Sequence, residues 1–597
     1  MYIIAFEMFF CALCDHLWRS EEFAVLWDVF RQRAPAMQNT GLTQRIAAAI
    51  GHHRAGRLAD AEAIYEEILQ TSPDHIDSLH LSGVIAHQRG NYGVAIERIG
   101  RAIALTSNRP VAELHNNIGV AYRGAGQPEQ AIAHFARALA LKPDYAEAHA
   151  NLGAGLKDLG QLEEAVRNCR RAVELSPKSP TSHYALGAIF QQQGALDAAR
   201  ACYQQALELK PDYAEAHTNL GAVLAALGDP GQALAHYRKV VAIKPNYPNA
   251  HYNLGQSLQQ LARADEALSC YRQAQSLKPD YAEAHWNEAL ALLTLGDYPA
   301  GWQKYEWRWR REDYRAPQLV EPSWDGSELA GRSILLHAEQ GFGDTIQFAR
   351  YAPLVKAKGA SAVIVECQPT LVGLLRKLKG VDRAITREER TGVDFDCHAP
   401  MLSLPGLFGT TVDSIPETTP YLTADPLRSE VWRQRLGSRP GLRVGLVWRG
   451  NRQNSQDEKR STPPQLWASL CSLAGVRCVS LQVDATPGEL DSLRAGRGDI
   501  VDFGAAMTDW AETAALVSVL DLVISVDTAV AHLAGALKKP VWVLLAYIAH
   551  WCWLTERSDS PWYRSARLYR QSESRAWDEV LDRVRDELIT RACNPHQ

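Results

Sequence analysis

At 597 residues the chain is too long for one core, and its length predicts two to four domains. A hydrophobic share of 46% and a charged share of 22% are those of an ordinary soluble globular protein, and a net charge of -5 argues against a nucleic-acid or polyanionic partner. Met1 to Leu17 is apolar but carries Glu7, has no basic start, and is too short to span a bilayer or to read as a signal peptide. Residues 1–36 do not share the periodicity that follows. They read as an over-extended start with Met37 as the true first residue, or as a docked N-terminal cap helix. Cys11-Ala-Leu-Cys14 has no second pair at zinc spacing, and the eleven cysteines are scattered. Cys202 and Cys270 share one repeat slot and are expected to be core thiols. Reduced cysteines and a cytoplasmic location follow from this usage.

From about residue 42 to 311 the chain repeats. Pro143, Pro177, Pro211, Pro245 and Pro279 are each 34 residues apart, as are Gly119, Gly153, Gly187, Gly221 and Gly255, and Ala131, Ala165, Ala199, Ala233 and Ala267. Small residues at fixed offsets let two helices approach closely, and proline stops the second. This pattern resembles the tetratricopeptide repeat, which implies about eight helical hairpins in an α-solenoid over residues 37–315. A second ladder, Asn117, Asn151, Asn219, Asn253 and Asn287, occupies one position of the first helix of each hairpin, broken only by Ala185. Asparagine is a poor helix residue, so its recurrence needs a reason. The ladder resembles that of the O-GlcNAc transferases, which implies an extended protein or peptide acceptor held by amide groups. The alternative is that these amides bond within the helix pair.

The pattern decays at Trp286. The run Gly301-Trp302 to Arg310 is dense in tryptophan and arginine, which suggests docking on another domain through aromatic–guanidinium stacking. Residues 317–331 read as a turn-rich connector. Short strands then alternate with helices. Ser333–Ala338, Ala362–Val365, Leu442–Trp448, Val476–Leu481, Ile500–Phe503, Leu520–Val526 and Val541–Leu545 are expected strands. They divide into two α/β lobes, 316–435 and 436–597, in a double Rossmann-like arrangement with a ligand in the cleft between them. The turn Glu339-Gln-Gly-Phe-Gly-Asp344 lacks the dinucleotide fingerprint and the P-loop lysine, so neither NAD nor ATP is expected. A helix starting at Asp527-Thr528 offers free N–H groups to an anion, with His532 about one turn in. An N-capped structural helix with a packed histidine fits the same stretch.

The run Asp527-Thr-Ala-Val-Ala-His532-Leu is similar to the Asp-Thr-x-x-x-His-Leu motif of heptosyltransferase-type glycosyltransferases, and Gly343-Asp344 before a helix is similar to their Gly-Asp motif. The whole chain resembles bacterial fusions of tetratricopeptide repeats with such a domain, through residues 301–309, 339–348, 527–536 and 559–563. The resemblance implies a GT-B fold with the nucleotide-sugar site in the carboxy-terminal lobe, and a nucleotide sugar as substrate with no cofactor. In that scheme Asp344 is the general base. Asp527, Thr528, Ala529, His532, Lys459, Arg460, Gly341 and Gly343 hold the donor, and no metal is required. The fusions imply a Pro-Asp-Trp-Arg-Trp-like run after the last buried strand. This chain has Ala546 to Trp553 there, without the charged pair. Two functions stay open. One is a glycosyltransferase acting on a protein hydroxyl. The other is a non-enzymatic repeat scaffold with a degenerate transferase domain.

Overall fold

The computed structural model describes residues 40–339, 341–417, 420–452, 457–495 and 500–593. The expectations for residues 1–36 and for Met37 lie outside them. The chain divides into two compact units, 1–250 and 251–597.

The described residues of the first unit form six helical hairpins, from Thr40–Arg54 with Leu58–Thr71 to Ala214–Ala226 with Pro230–Ile243. The glycine ladder has a direct steric cause. A Cβ on Gly119 would meet the Phe135 ring at 2.6 Å, on Gly187 the Tyr203 ring at 2.9 Å, and on Gly221 the Tyr237 ring at 2.8 Å. Each glycine thus makes room for a large side chain from the second helix of its own hairpin. Cys169 takes that slot against Gly153, with its sulfur where a Cβ would collide. Cys169 is the core thiol of the repeats, whereas Cys202 and Cys270 are only half-buried, because their slot lies beside the aromatic one. The ladder alanines are fully buried. Second helices end two residues before each ladder proline, and the proline carbonyl accepts from a histidine of the next helix: His183 Nε2 to Pro177 O at 2.9 Å, His217 Nε2 to Pro211 O at 2.9 Å.

The second unit begins inside helix Pro248–Gln260, which pairs with Ala264–Leu277; Ala282–Leu295 and Tyr298–Tyr305 follow, and then a 3-10 turn, Glu306–Arg310. The turn after each first helix needs a left-handed residue. Gly228 and Gly296 supply it at φ 85°, but Ala262 takes the same position at φ 59°. An L residue there carries about 1–2 kcal/mol of strain.

Two parallel sheets come next. The first has the order β3-β2-β1-β4, with β1 Ile334–His337, β2 Val363–Glu366, β3 Arg383–Ile385 and β4 Cys397–Pro400. The second has the order β10-β9-β8-β5-β6-β7, with β5 Leu442–Val447, β6 Val476–Ser480, β7 Ile500–Asp502, β8 Leu522–Val526, β9 Val541–Leu545 and β10 Ala566–Arg570. Sequence periodicity finds seven of these strands and misses β3, β4 and β10, which are short or carry charged residues. In both sheets the strand order reverses beside an inner strand, between β1 and β4 and between β5 and β8, and such a reversal opens a crevice at the strands' carboxyl ends.

The tryptophan-rich helix docks on these lobes, as its composition suggests. Trp302 Nε1 donates to Thr410 O at 3.1 Å, and Trp562 Nε1 donates to Tyr298 Oη at 2.9 Å. Trp302 also meets Trp551 edge-on at 5.2 Å. Arg308 is fully buried between Tyr305 and Trp309, and its guanidinium holds Glu339 through two bonds of 2.8 and 3.1 Å.

Removing Glu339 leaves that guanidinium buried without its main partner. Glu339→Ala is expected to destabilise the chain by about 3–5 kcal/mol in urea unfolding, with Glu339→Gln intermediate. Ala262→Gly is expected to relieve the left-handed strain and raise stability by up to about 1 kcal/mol. An unchanged or lowered melting temperature in that variant would show that the turn is not strained.

Candidate functional site

The candidate site is built at the two crevices. The loop after β1 carries Gly341 to Asp344, and helix Phe342–Phe348 starts in it. Gly341, in extended conformation at φ -72°, is the N-cap, and Asp344 lies three residues in rather than at the opening. The Asp344 carboxylate accepts from the Gly341 N–H at 3.2 Å, so it closes the first turn. The loop after β8 carries Asp527 and Thr528, with Thr528 as N-cap of helix Ala529–Ala536. Its hydroxyl makes no cap bond to the helix but meets Ser525 Oγ at 2.9 Å. The first bonds back to the cap come from Ala531 and His532, which leaves the N–H groups of Ala529 and Val530 at an open helix end.

The two helix starts pack against each other. A Cβ on Gly343 would meet His532 Cδ2 at 3.0 Å and Ala529 Cα at 3.6 Å. Glycine at 343 is therefore what brings the Asp344 loop onto His532. The His532 ring lies between Gly343, Trp553 (stacked at 5.2 Å) and Tyr563, whose hydroxyl sits 3.0 Å from Nδ1. The Tyr563 hydroxyl and Nδ1 share that hydrogen bond, and Nε2 is the nitrogen beside Gly343. Burial pushes the imidazole down to about 4, against a partial offset from Asp527, so the ring is neutral at pH 7. Burial likewise raises the Asp344 carboxyl above the usual carboxylate range; His550 and the Gly341 N–H oppose this, and the nearby Asp527 and Glu339 charges add to it.

Of the residues singled out from sequence, Gly341, Gly343, Asp344, Asp527, Thr528, Ala529 and His532 come together. Arg460 lies near enough to act on His532 but is tied to Asp457 at 3.3 Å. Lys459 is exposed on the short helix Asp457–Arg460. Glu339, the other carboxylate of that loop, is committed to Arg308, to the Tyr314 hydroxyl at 2.6 Å and to the Leu402 N–H at 3.2 Å. It is a structural anchor.

The asparagine ladder bonds along the solenoid. Asn151 Nδ2 donates to Asn116 Oδ1 at 2.9 Å, Asn219 to Tyr184 Oη at 3.1 Å and Asn287 to Tyr252 Oη at 3.1 Å. Each bond reaches 35 residues back, to the preceding first helix rather than to the partner of the same hairpin. Asn117 Nδ2 meets His80 Nε2 at 2.8 Å. Asn151 is only 4% exposed, which removes it from any surface ladder; Asn117, Asn219, Asn253 and Asn287 are half-buried.

Sequence reasoning missed Arg350, Tyr421 and the His550–Cys552 pair. Arg350 is buried, stacks on Tyr421, Trp562 and Tyr563, and donates to Trp562 O at 2.9 Å, which braces the ring that holds His532. An arginine inside an otherwise apolar helical run was the available signal. His550 Nδ1 lies 3.1 Å from Cys552 Sγ, in the loop that departs from the expected charged pair. Burial and the charges of Asp527 and Asp344 keep the Cys552 thiol protonated.

Residues 504–571 match the model of glycosyltransferase family 9 (heptosyltransferase), a span that contains the Asp527–His532 motif. Residues 155–194, 189–228 and 224–261 match a TPR repeat model, and 43–67, 112–145 and 252–306 match tetratricopeptide repeat models. The chain thus carries tetratricopeptide repeats in its amino-terminal half and a short match to a heptosyltransferase model near its carboxy terminus. It is 29% identical over 324 residues to Protein FlbA of Caulobacter vibrioides, covering 50% of this chain and 53% of that protein. The chain thus spans about half the length of the curated relative it matches. Among solved structures, MamA is 27% identical over 28% of this chain and 97% of its own, at a TM-score of 0.25. A thermophilic TPR protein of Thermus thermophilus is 25% identical over 31% of this chain and 100% of its own, at 0.27. Among the described residues, no cluster of three or more His, Cys, Asp or Glu is placed to hold a metal, and no helix is long and apolar enough to cross a membrane.

The neutral His532 ties site and stability to pH. Its native value, about 4, is below the unfolded value of 6.5. Its contribution is therefore full above pH 6.5 and is lost as the pH falls toward 4, worth about 3 kcal/mol. Urea unfolding at pH 7 and pH 4.5 should show that loss in the native chain and a smaller one in His532→Gln.

Proposed function

We propose that the α/β region transfers a sugar from a nucleotide-sugar donor to an acceptor hydroxyl. The observation that carries this reading is the contact of Gly343 with His532, which sets the Asp344 carboxylate against an open helix N-terminus at facing strand ends. Asp344 takes the proton of the acceptor hydroxyl. The acceptor oxygen bonds to the anomeric carbon, and the bond from that carbon to the donor's phosphate oxygen breaks. Its electron pair leaves on the nucleoside diphosphate. The Ala529 and Val530 N–H groups, the Thr528 hydroxyl and His532 Nε2 face that charge, with Lys459 and Arg460 as the cations of the neighbouring loop. Gly341 and Gly343 leave room for the substrate at the backbone. Asp527, a carboxylate, accepts hydroxyls of the transferred sugar rather than phosphate oxygens. A protein acceptor suits the repeats, where the remaining amide groups of Asn117, Asn219, Asn253 and Asn287 can pair with an extended backbone.

The test is a thermal-shift screen of nucleotide sugars, in which a donor at 100 times its dissociation constant stabilises by about 2.7 kcal/mol. Donor turnover is then followed in Asp344→Asn. The substitution should lower the rate about 10²–10⁴-fold while donor binding persists. Because Asp344 must be ionised and its carboxyl is raised, the acid limb of the native pH–rate profile should lie above the ordinary carboxylate range and vanish in the variant. Donor binding without any turnover in the native chain would instead favour the scaffold reading.

A further inference from the structure

A second cavity, of about 810 Å³, lies between helix Tyr298–Tyr305, the connector and the carboxyl ends of β1 and β4. Its lining includes neither Asp344 nor any residue of the Asp527–His532 motif. Three indoles form its aromatic wall. Trp302 donates its N–H to Thr410 O at 3.1 Å, Trp309 to Glu306 Oε2 at 3.0 Å and Trp324 to Ser327 O at 2.9 Å. Trp302 and Trp324 are buried, whereas Trp309 is half-buried and, with its N–H committed, offers a ligand only carbon surface.

Part of the polar lining is uncommitted. The Gln303 amide and the Glu321 carboxylate make no hydrogen bond or ion pair among the described residues, and both line the cavity. His337 and His398, 2% and 9% exposed, lie at its floor with Nε2 of the first 3.3 Å from Nδ1 of the second, and His398 Nε2 meets Ser323 Oγ at 3.4 Å, so both nitrogens of His398 are taken. His337 Nδ1 has no partner among the described residues. Burial keeps both imidazoles below their ordinary range, so both are neutral at pH 7. No lysine or arginine lines the cavity, and the Glu306 charge is met by Arg308 at 2.8 Å. Such a lining has nothing with which to neutralise a phosphate or a carboxylate. It does combine ring faces, whose negative quadrupole attracts C–H groups, with a set of neutral donors and acceptors and one carboxylate that takes hydroxyl protons.

We propose that this cavity binds a neutral saccharide, with its C–H face on Trp309 and its hydroxyls on Gln303, Glu321 and His337. Binding needs no nucleotide and is separate from the transfer proposed above.

The test uses the full chain, without donor, on a printed array of neutral, sialylated and phosphorylated glycans, with titrations of maltotriose, N,N′-diacetylchitobiose and choline followed by tryptophan fluorescence. Retention of a neutral glycan is expected, with affinity at least tenfold lower in Gln303→Ala and in Glu321→Ala. Both side chains are at least partly exposed, so both variants should keep the native melting temperature and any nucleotide-sugar thermal shift. Three results would overturn the proposal: no neutral glycan retained, retention unchanged in both variants, or binding of choline or acidic glycans alone. None of them bears on the Asp344–His532 cleft, which the donor thermal shift reads separately.

Discussion

The ion pair of Arg308 with Glu339 is the constraint on which the second unit depends. A buried guanidinium requires a partner, and Glu339 can serve only if β1 ends where it does. The pair joins the last repeat helix to the carboxyl end of β1. Tyr314 and the Leu402 N–H take the remaining lone pairs of the carboxylate, so the connector and the segment after β4 are held at the same point. The loop that begins at Gly341 therefore starts from a fixed base, although glycine alone would leave it free.

From that base the chain reaches His532 because position 343 has no side chain. A Cβ there would sit 3.0 Å from the imidazole, so the ring would have to give by a few tenths of an ångström. Behind the ring, Tyr563, Trp553 and the buried Arg350 hold it from the carboxy-terminal side. The result is a neutral imidazole and a raised carboxyl side by side, each set by burial more than by any single charge. Burial thus acts on both groups in the same sense, disfavouring the charged form of each.

The repeats were legible because their period is enforced by sterics at every turn: a glycine under an aromatic ring leaves no latitude in spacing. The Gly-Asp loop and the Asp-Thr-x-x-x-His stretch were legible for a related reason, since a helix start at a strand end has a local pattern. What was not legible depends on the distant chain. Nothing around Glu339 marks it as an anchor rather than a base until Arg308 is seen upon it. The asparagines look like an open ladder until Tyr184 and Tyr252, far back in sequence, take their donors. Strand β10 escaped because Arg567 and Arg570 break its apolar run, while its pairing to β9 is a tertiary fact.

The glycine–ring contacts and the asparagine bonds differ in reach. The first close within one hairpin, and the second cross to the hairpin before. A hairpin duplicated or deleted as a whole brings its own steric fit along, and needs only an asparagine or a tyrosine at the seam to be accepted. Copy number in such an array can vary with little steric cost, whereas the segment after the final hairpin is tied by Arg308 to Glu339 at the end of β1 and carries a constraint the other hairpins lack.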